Sequence, residues 1–145
     1  RQSCIYGQYQ HGNADQGWVV HFLQKAMAGG EITIYGDGKQ VRDILHVNDL
    51  INAYMRVLKN QKKCAGRVFN IGGGTKNSFS LLELIRYLEK LTGKEIKYKF
   101  ESWRPGDQKI FISNNNSLKK ATGWKPKIGK EQGIRMVIEW LERKQ

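Results

Sequence analysis

The chain has 145 residues, 39% hydrophobic and 26% charged, a composition that supports a folded core and excludes the disordered class. Lys and Arg outnumber Asp and Glu by 25 to 13, a formal net charge of +12, so the partners to weigh are nucleic acid, anionic lipid or a phosphorylated small molecule. The lysines are spread over Lys59 to Lys63, Lys94 to Lys99 and Lys119 to Lys130 rather than concentrated, which equally suits a solubilising surface.

Residues 2 to 6 read as a short strand, and the chain enters it so abruptly at Arg1 that a fragment or truncated relative is expected. Trp18, Val19, Phe22, Leu23, Ala26 and Met27 recur at helical spacing and stop at Gly29-Gly30. Two β-like runs follow, Ile32 to Tyr35 and Asp43 to Val47, joined by a turn, GDGKQ. Leu50, Tyr54, Val57 and Leu58 mark a helix face, with Asn48 or Asp49 as N-cap. RVFNIG (67 to 72) has the content of a buried strand, and GGGTKN after it is a loop.

Ser80 and Glu83 then form the capping box of a helix that runs to Gly93, with Phe79 and Leu84 placed as a hydrophobic staple. IKYKF (96 to 100) alternates like a half-exposed strand, and KIFIS (109 to 113) is a shorter one. Ser117 to Thr122 and the stretch through Ile134, Val137, Ile138 and Leu141 complete the helices. The expected class is α/β, a small mixed sheet with helices over residues 1–145 as a single domain. Its short strands look made to complete a sheet supplied from elsewhere.

IGGGTKNS (71 to 78) follows a strand and precedes a helix, but meets neither the Walker nor the dinucleotide-loop spacing, so a plain turn is the better reading. His11, His21 and His46 have no metal-ligand spacing, Cys4 and Cys64 no paired spacing, and no nucleophile elbow occurs. No run approaches the ~18 apolar residues of a membrane helix, and a cytoplasmic protein is expected. Two arginine-bearing stretches remain. Arg42 interrupts an apolar run, and Arg104 precedes Pro105-Gly106-Asp107, which holds its backbone extended and then turns the chain. Two rigidly held guanidiniums can take a diphosphate in forked, charge-assisted hydrogen bonds. The competing arrangement pairs Arg42 with Asp43 or Asp49, and Arg104 with Asp107.

IYGQYQ (5 to 10), QGWVVHF (16 to 22), IYGDGKQVRDILHVNDL (34 to 50), VFNIGGGTKNSFSLLEL (68 to 84), RPGD (104 to 107) and GWKP (123 to 126) occur here in one order. That ordered set resembles the carboxy-terminal, substrate-binding part of extended short-chain dehydrogenase/reductases acting on nucleotide sugars, within the NAD-dependent epimerase/dehydratase family and nearest its CDP-sugar 2-epimerase branch. The resemblance implies that Arg42 and Arg104, with Asp107, contact the phosphates or ribose of a nucleotide diphosphate sugar. It also implies that Ile34 and Tyr35 lie near the base, that Tyr6 and Gly7 edge the cofactor cleft, and that Asp43 and Asp49 orient Arg42 or its strand.

NAD is implied for the full-length family, but no cofactor is expected to bind this chain alone. The only Tyr-x-x-x-Lys match, Tyr35 to Lys39, spans a turn rather than successive turns of one helix. Relatives usually read Tyr-Gly-Pro-Arg-Gln where this chain has Tyr6-Gly7-Gln8-Tyr9-Gln10. Asn114, Asn115 and Asn116 stand where an acidic residue is common. The expected function is therefore a nucleotide-sugar-binding lobe without catalytic residues of its own, completed by a partner chain that supplies a Rossmann half. The alternatives are a self-associating, homo-oligomeric remnant, a nucleotide-sugar sensor and, below these, a basic nucleic-acid-binding module.

Overall fold

β3, Val41–His46, organises the molecule because it has a different neighbour along each part of its length. The structure is a computed structural model that describes residues 1–143. The second half of β3 lies parallel to β1, Cys4–Tyr6, with Cys4 opposite Ile44 and Tyr6 opposite His46. Its first half pairs antiparallel with β4, Ser78–Ser80, and parallel with β6, Ile110–Phe111, so Arg42 stands between Phe79 and Phe111. β2, Ile32–Tyr35, and β5, Tyr98–Glu101, form a separate two-stranded parallel ribbon.

Strand alternation sends Ile44 to one face of the sheet and Leu45 to the other, and each residue anchors a different core. Ile44 joins Val20, Leu23, Leu84, Leu88 and Ile134 under α1 (Trp18–Met27), α4 (Leu81–Thr92) and α6 (Lys130–Glu142). Leu45 joins Leu50, Ala53, Ile71, Leu118 and Trp124 under α2 (Val47–Lys59), α3 (Gln61–Cys64) and α5 (Asn116–Thr122). A sheet covered on both faces by helices makes the class α/β, as expected.

The start of α4 follows from local chemistry. Ser80 Oγ accepts the Glu83 N–H at 3.2 Å, Glu83 Oε2 accepts the Ser80 N–H at 2.7 Å, and Phe79 and Leu84 are both buried beside the cap.

Two expectations need correction. RVFNIG is not a strand. Only Ile71 pairs, donating its N–H to Arg1 O and accepting from Ser3 N–H, each at 2.9 Å, while Val68 is 71% exposed with no adjacent strand among the described residues. β4 forms instead where Ser78 to Ser80 meet β3. The N-cap of α2 is His46, not Asn48 or Asp49, because the imidazole Nδ1 accepts the Asn48 N–H at 3.2 Å.

Candidate functional site

β2, β3 and the segment after β5 converge on a cleft of about 330 Å³ beside α1. Its back wall is one stripe of α1: Trp18, His21, Phe22 and Lys25 recur at intervals of three and four residues. Arg42, Tyr35, Arg104 and Asp107 line the same cleft, together with Gln40, Thr33, Asp15 and Glu31.

The loop carrying Arg104 is held by two devices. Arg104 to Asp107 form a tight turn, with the Asp107 N–H donating to Arg104 O at 3.2 Å and Gly106 at φ +76 after Pro105. The Trp103 ring lies flat against Gly36, where an added Cβ would meet the indole at 2.7 Å. That contact presses the loop onto the turn after Tyr35.

The two guanidiniums are preorganised differently. Arg42 Nη2 donates to Asp107 Oδ1 at 2.5 Å and its Nη1 to Val41 O at 2.9 Å. Arg104 lies over the Tyr35 ring, its Cζ 3.8 Å from the centroid, and donates through Nη2 to Ala14 O at 2.9 Å, with Asp15 at 3.4 Å. Each guanidinium has five N–H donors and spends two or fewer of them within the protein, so each keeps donors for an anion. Arg42 is therefore paired with Asp107, not with Asp43 or Asp49, and the acid beside Arg104 is Asp15.

Asp43 and Asp49 do structural work on the backbone. Asp43 is fully buried; Oδ1 accepts from the Ser3 hydroxyl, and Oδ2 accepts the N–H groups of Gly74 at 2.8 Å and Ser113 at 3.1 Å. It thereby fixes β3, the strand that carries Arg42, against three other segments. Asp49 Oδ2 accepts the N–H groups of Lys127 and Ile128 at 2.9 and 2.8 Å, tying α2 to the segment before α6.

Of the remaining residues singled out in the sequence, Ile34 is completely buried opposite Phe100 and does not line the cleft. Tyr6 is 2% exposed, packed edge-on to His46 at 5.4 Å and against Gly133 of α6; burial raises its phenol pKa further above the usual value. Gly7 abuts Val47, where a Cβ would meet Cγ1 at 2.5 Å. Neither Tyr6 nor Gly7 lines the arginine cleft.

The glycine loop cannot cradle a dinucleotide pyrophosphate as it stands. The Gly72 N–H is donated to Asn115 Oδ1 at 3.0 Å and the Gly74 N–H to Asp43, and the turn leads into a 3-10 segment, Thr75–Asn77, rather than a helix. The glycine loop therefore does not fit the NAD phosphates.

Cys4, on the cleft wall, accepts from Trp18 Nε1 at 3.4 Å, and burial holds its thiol above the ordinary cysteine range, so it is not an activated nucleophile. His46 is lowered from its ordinary value by burial, despite the opposing charge of Asp49. Protonating Nδ1 would also set two donors face to face at the α2 cap. His21 is lowered too, by burial and by Lys25. A histidine whose folded pKa lies below its unfolded value near 6.5 contributes stability in full above that pH, and the contribution falls as pH drops through 6.5 toward the folded value. Urea midpoints should therefore decline from about pH 7.5 to about pH 5.5, and His46→Gln should flatten that decline; an unchanged slope in the variant would contradict this role.

Comparison with known proteins defines the class, because solved nucleotide-sugar epimerases contain the whole lobe. The UDP-glucuronic acid 4-epimerase from Bacillus cereus, solved with UDP-glucuronic acid and NAD, superposes with a TM-score of 0.89 at 26% identity, over 100% of this chain and 45% of that one. The UDP-glucose 4-epimerase from Thermotoga maritima, solved with UDP-glucose, gives 0.83 at 30% identity, over 99% and 45%. The chain belongs to the GDP-mannose 4,6 dehydratase family, whose model matches residues 2–137, within the NAD-dependent nucleotide-sugar epimerases and dehydratases. Among curated relatives, the CDP-paratose 2-epimerase of Salmonella typhi is 39% identical over 97% of this chain, and the UDP-glucuronate 4-epimerase of Thermodesulfobacterium geofontis 32% over 84%. The chain spans less than half the length of these relatives, 43% and 36%.

Proposed function

We propose that the cleft binds a nucleotide diphosphate sugar, with Arg42 and Arg104 sharing the diphosphate. The observation that carries this reading is their meeting in one cleft from segments 62 residues apart, each guanidinium held by its own support. Asp107, already turned toward Arg42, is the acceptor for a ribose hydroxyl, and the Tyr35 end of β2 faces the base. The 39% identity to a CDP-paratose 2-epimerase favours a CDP-sugar. The 145 residues act as one unit, a substrate lobe that leaves NAD and the proton-transferring tyrosine to a Rossmann half in further sequence or a separate chain. With that half in place, the activity is NAD-dependent C2 epimerisation of the CDP-sugar.

Calorimetry of the 145-residue chain with CDP-, UDP-, dTDP- and GDP-sugars tests the reading. Binding of at least one is expected, and Arg104→Ala should weaken it by ~10-fold or more. Arg42→Lys should cost nearly as much, because an ammonium cannot reproduce the fork. No heat with any of the four would refute the proposal.

A second reading, self-association, is favoured by apolar groups at the strand edges. Ile110, Phe111 and Ile112 are exposed around β6, and Tyr98 and Phe100 stand on the open face of β5. It predicts an oligomer by light scattering, dispersed by Ile110→Lys; a monomer at all concentrations would remove it.

A further inference from the structure

The cleft has two chemically different ends. Arg42, Arg104 and Asp107 stand at one of them, where Arg104 reaches Ala14 and Asp15 just ahead of α1 and lies over Tyr35, the last residue of β2. From there α1 runs away from the arginines to Lys25, and β2 runs back toward them from Glu31. The two elements meet at the far end, where the Gly30 N–H donates to Lys25 O at 2.9 Å.

Glu31, Thr33 and Tyr35 all line the cleft, as alternate residues of an extended segment should, whereas Ile32 and Ile34 are fully buried on the opposite face. Four residues of strand set Glu31 about 13 Å from Tyr35, and seven of helix set Lys25 about 10 Å from Trp18. That length is comparable with the reach of a pyrimidine nucleoside from its 5′ phosphate to its Watson–Crick edge.

The far end thus carries one acceptor group and one donor group. The Glu31 carboxylate is half exposed, and its Oε1 lies 3.5 Å from Lys99 Nζ on the neighbouring strand β5. An exposed pair of this kind contributes little to stability and leaves acceptor sites on both carboxylate oxygens. Lys25 makes no ion pair among the described residues. Cytosine presents an amino donor at N4 and an acceptor at N3, whereas uracil and thymine present an acceptor at O4 and a donor at N3. A carboxylate beside an ammonium matches the cytosine edge, accepting from N4 and donating to N3. It opposes the other two bases, acceptor against acceptor and donor against donor.

We propose that Glu31 and Lys25 read the pyrimidine edge of the bound nucleotide and select cytosine. The inference rests on the diphosphate reading of the two arginines, and it supplies a chemical reason for a CDP-sugar that does not depend on sequence identity.

Calorimetry of the 145-residue chain with CDP and UDP, which carry no sugar, tests the base contact by itself. CDP should bind about tenfold or more tighter than UDP. Glu31→Gln should bring the two within about threefold, because an amide can turn either its donor or its acceptor to the base. Losing a negative charge near a diphosphate strengthens both ligands alike, so the ratio of affinities, not either affinity alone, reports the contact. Lys25→Met should lower the ratio as well, because only cytosine offers an acceptor at N3. Glu95 is exposed and does not line the cleft, so Glu95→Gln removes the same charge and should keep the parent ratio within about twofold. Equal affinity for CDP and UDP in the parent, with both weakened by Arg104→Ala, would overturn the base reading and leave the diphosphate reading standing. An unchanged ratio in Glu31→Gln would overturn it too. No binding of either nucleotide would remove both readings.

Discussion

Asp43→Ala is expected to destabilise the fold by about 3 to 5 kcal/mol, a large share of the roughly 5 to 15 kcal/mol typical of a domain. The carboxylate is completely buried and accepts three hydrogen bonds, from the Ser3 hydroxyl and the N–H groups of Gly74 and Ser113. Alanine offers no acceptor at either oxygen position. The N–H groups of Gly74 and Ser113 then lose their partner, each at a cost of about 1 to 3 kcal/mol, beyond the lost charge-assisted bonds. Because β1, β3, the glycine loop and the segment after β6 all meet at this carboxylate, the loss falls on the strand that carries Arg42. Urea denaturation reads it directly. A change below about 1 kcal/mol would show that the hub does not hold these segments.

Gly73→Ala should be comparably severe for a different reason. A Cβ at this position would fall on the carbonyl oxygen of Ile44 and lie 2.7 Å from the Asn77 Cβ, and neither the middle of a paired strand nor the 3-10 turn can move aside cheaply. A loss of about 3 kcal/mol is expected by thermal or chemical denaturation. Gly129→Ala supplies the contrast. Its Cβ would meet nothing closer than 4.0 Å, and a change within about 0.5 kcal/mol is expected. Equal effects at the two sites would mean that chain stiffness, not the close approach of the loop to β3, sets the cost.

What could be read in advance divides along local and non-local lines. The start of α4 was legible because Phe79, Ser80, Glu83 and Leu84 satisfy one another within a single turn. The Arg104 to Asp107 turn was legible because Pro105 fixes its own φ and Gly106 permits the positive φ that the turn takes. RVFNIG was misread because strand content forms a strand only beside a partner, and among the described residues only Ile71 finds one. The α2 cap was placed two or three residues late, at Asn48 or Asp49, because a histidine accepting through Nδ1 is an uncommon cap.

The cleft shows the same split. That Arg42 and Arg104 could share a diphosphate was readable from the residues and favoured by the family resemblance, whereas their supports, Asp107 for one and Tyr35 with Ala14 for the other, depend on loops meeting in three dimensions. The α1 wall was within reach. Trp18, His21, Phe22 and Lys25 form one helical stripe, and a histidine and a lysine interrupting apolar spacing mark a face that is only partly core.

The most direct measurement is the side-chain N–H resonances of Arg42 and Arg104, followed by NMR while the chain is titrated with a CDP-sugar. Both should shift together along one saturating curve, and inorganic pyrophosphate should displace them along the same path. If the ligand binds and only one arginine responds, or neither does, the two guanidiniums do not share a diphosphate and the proposed site is wrong.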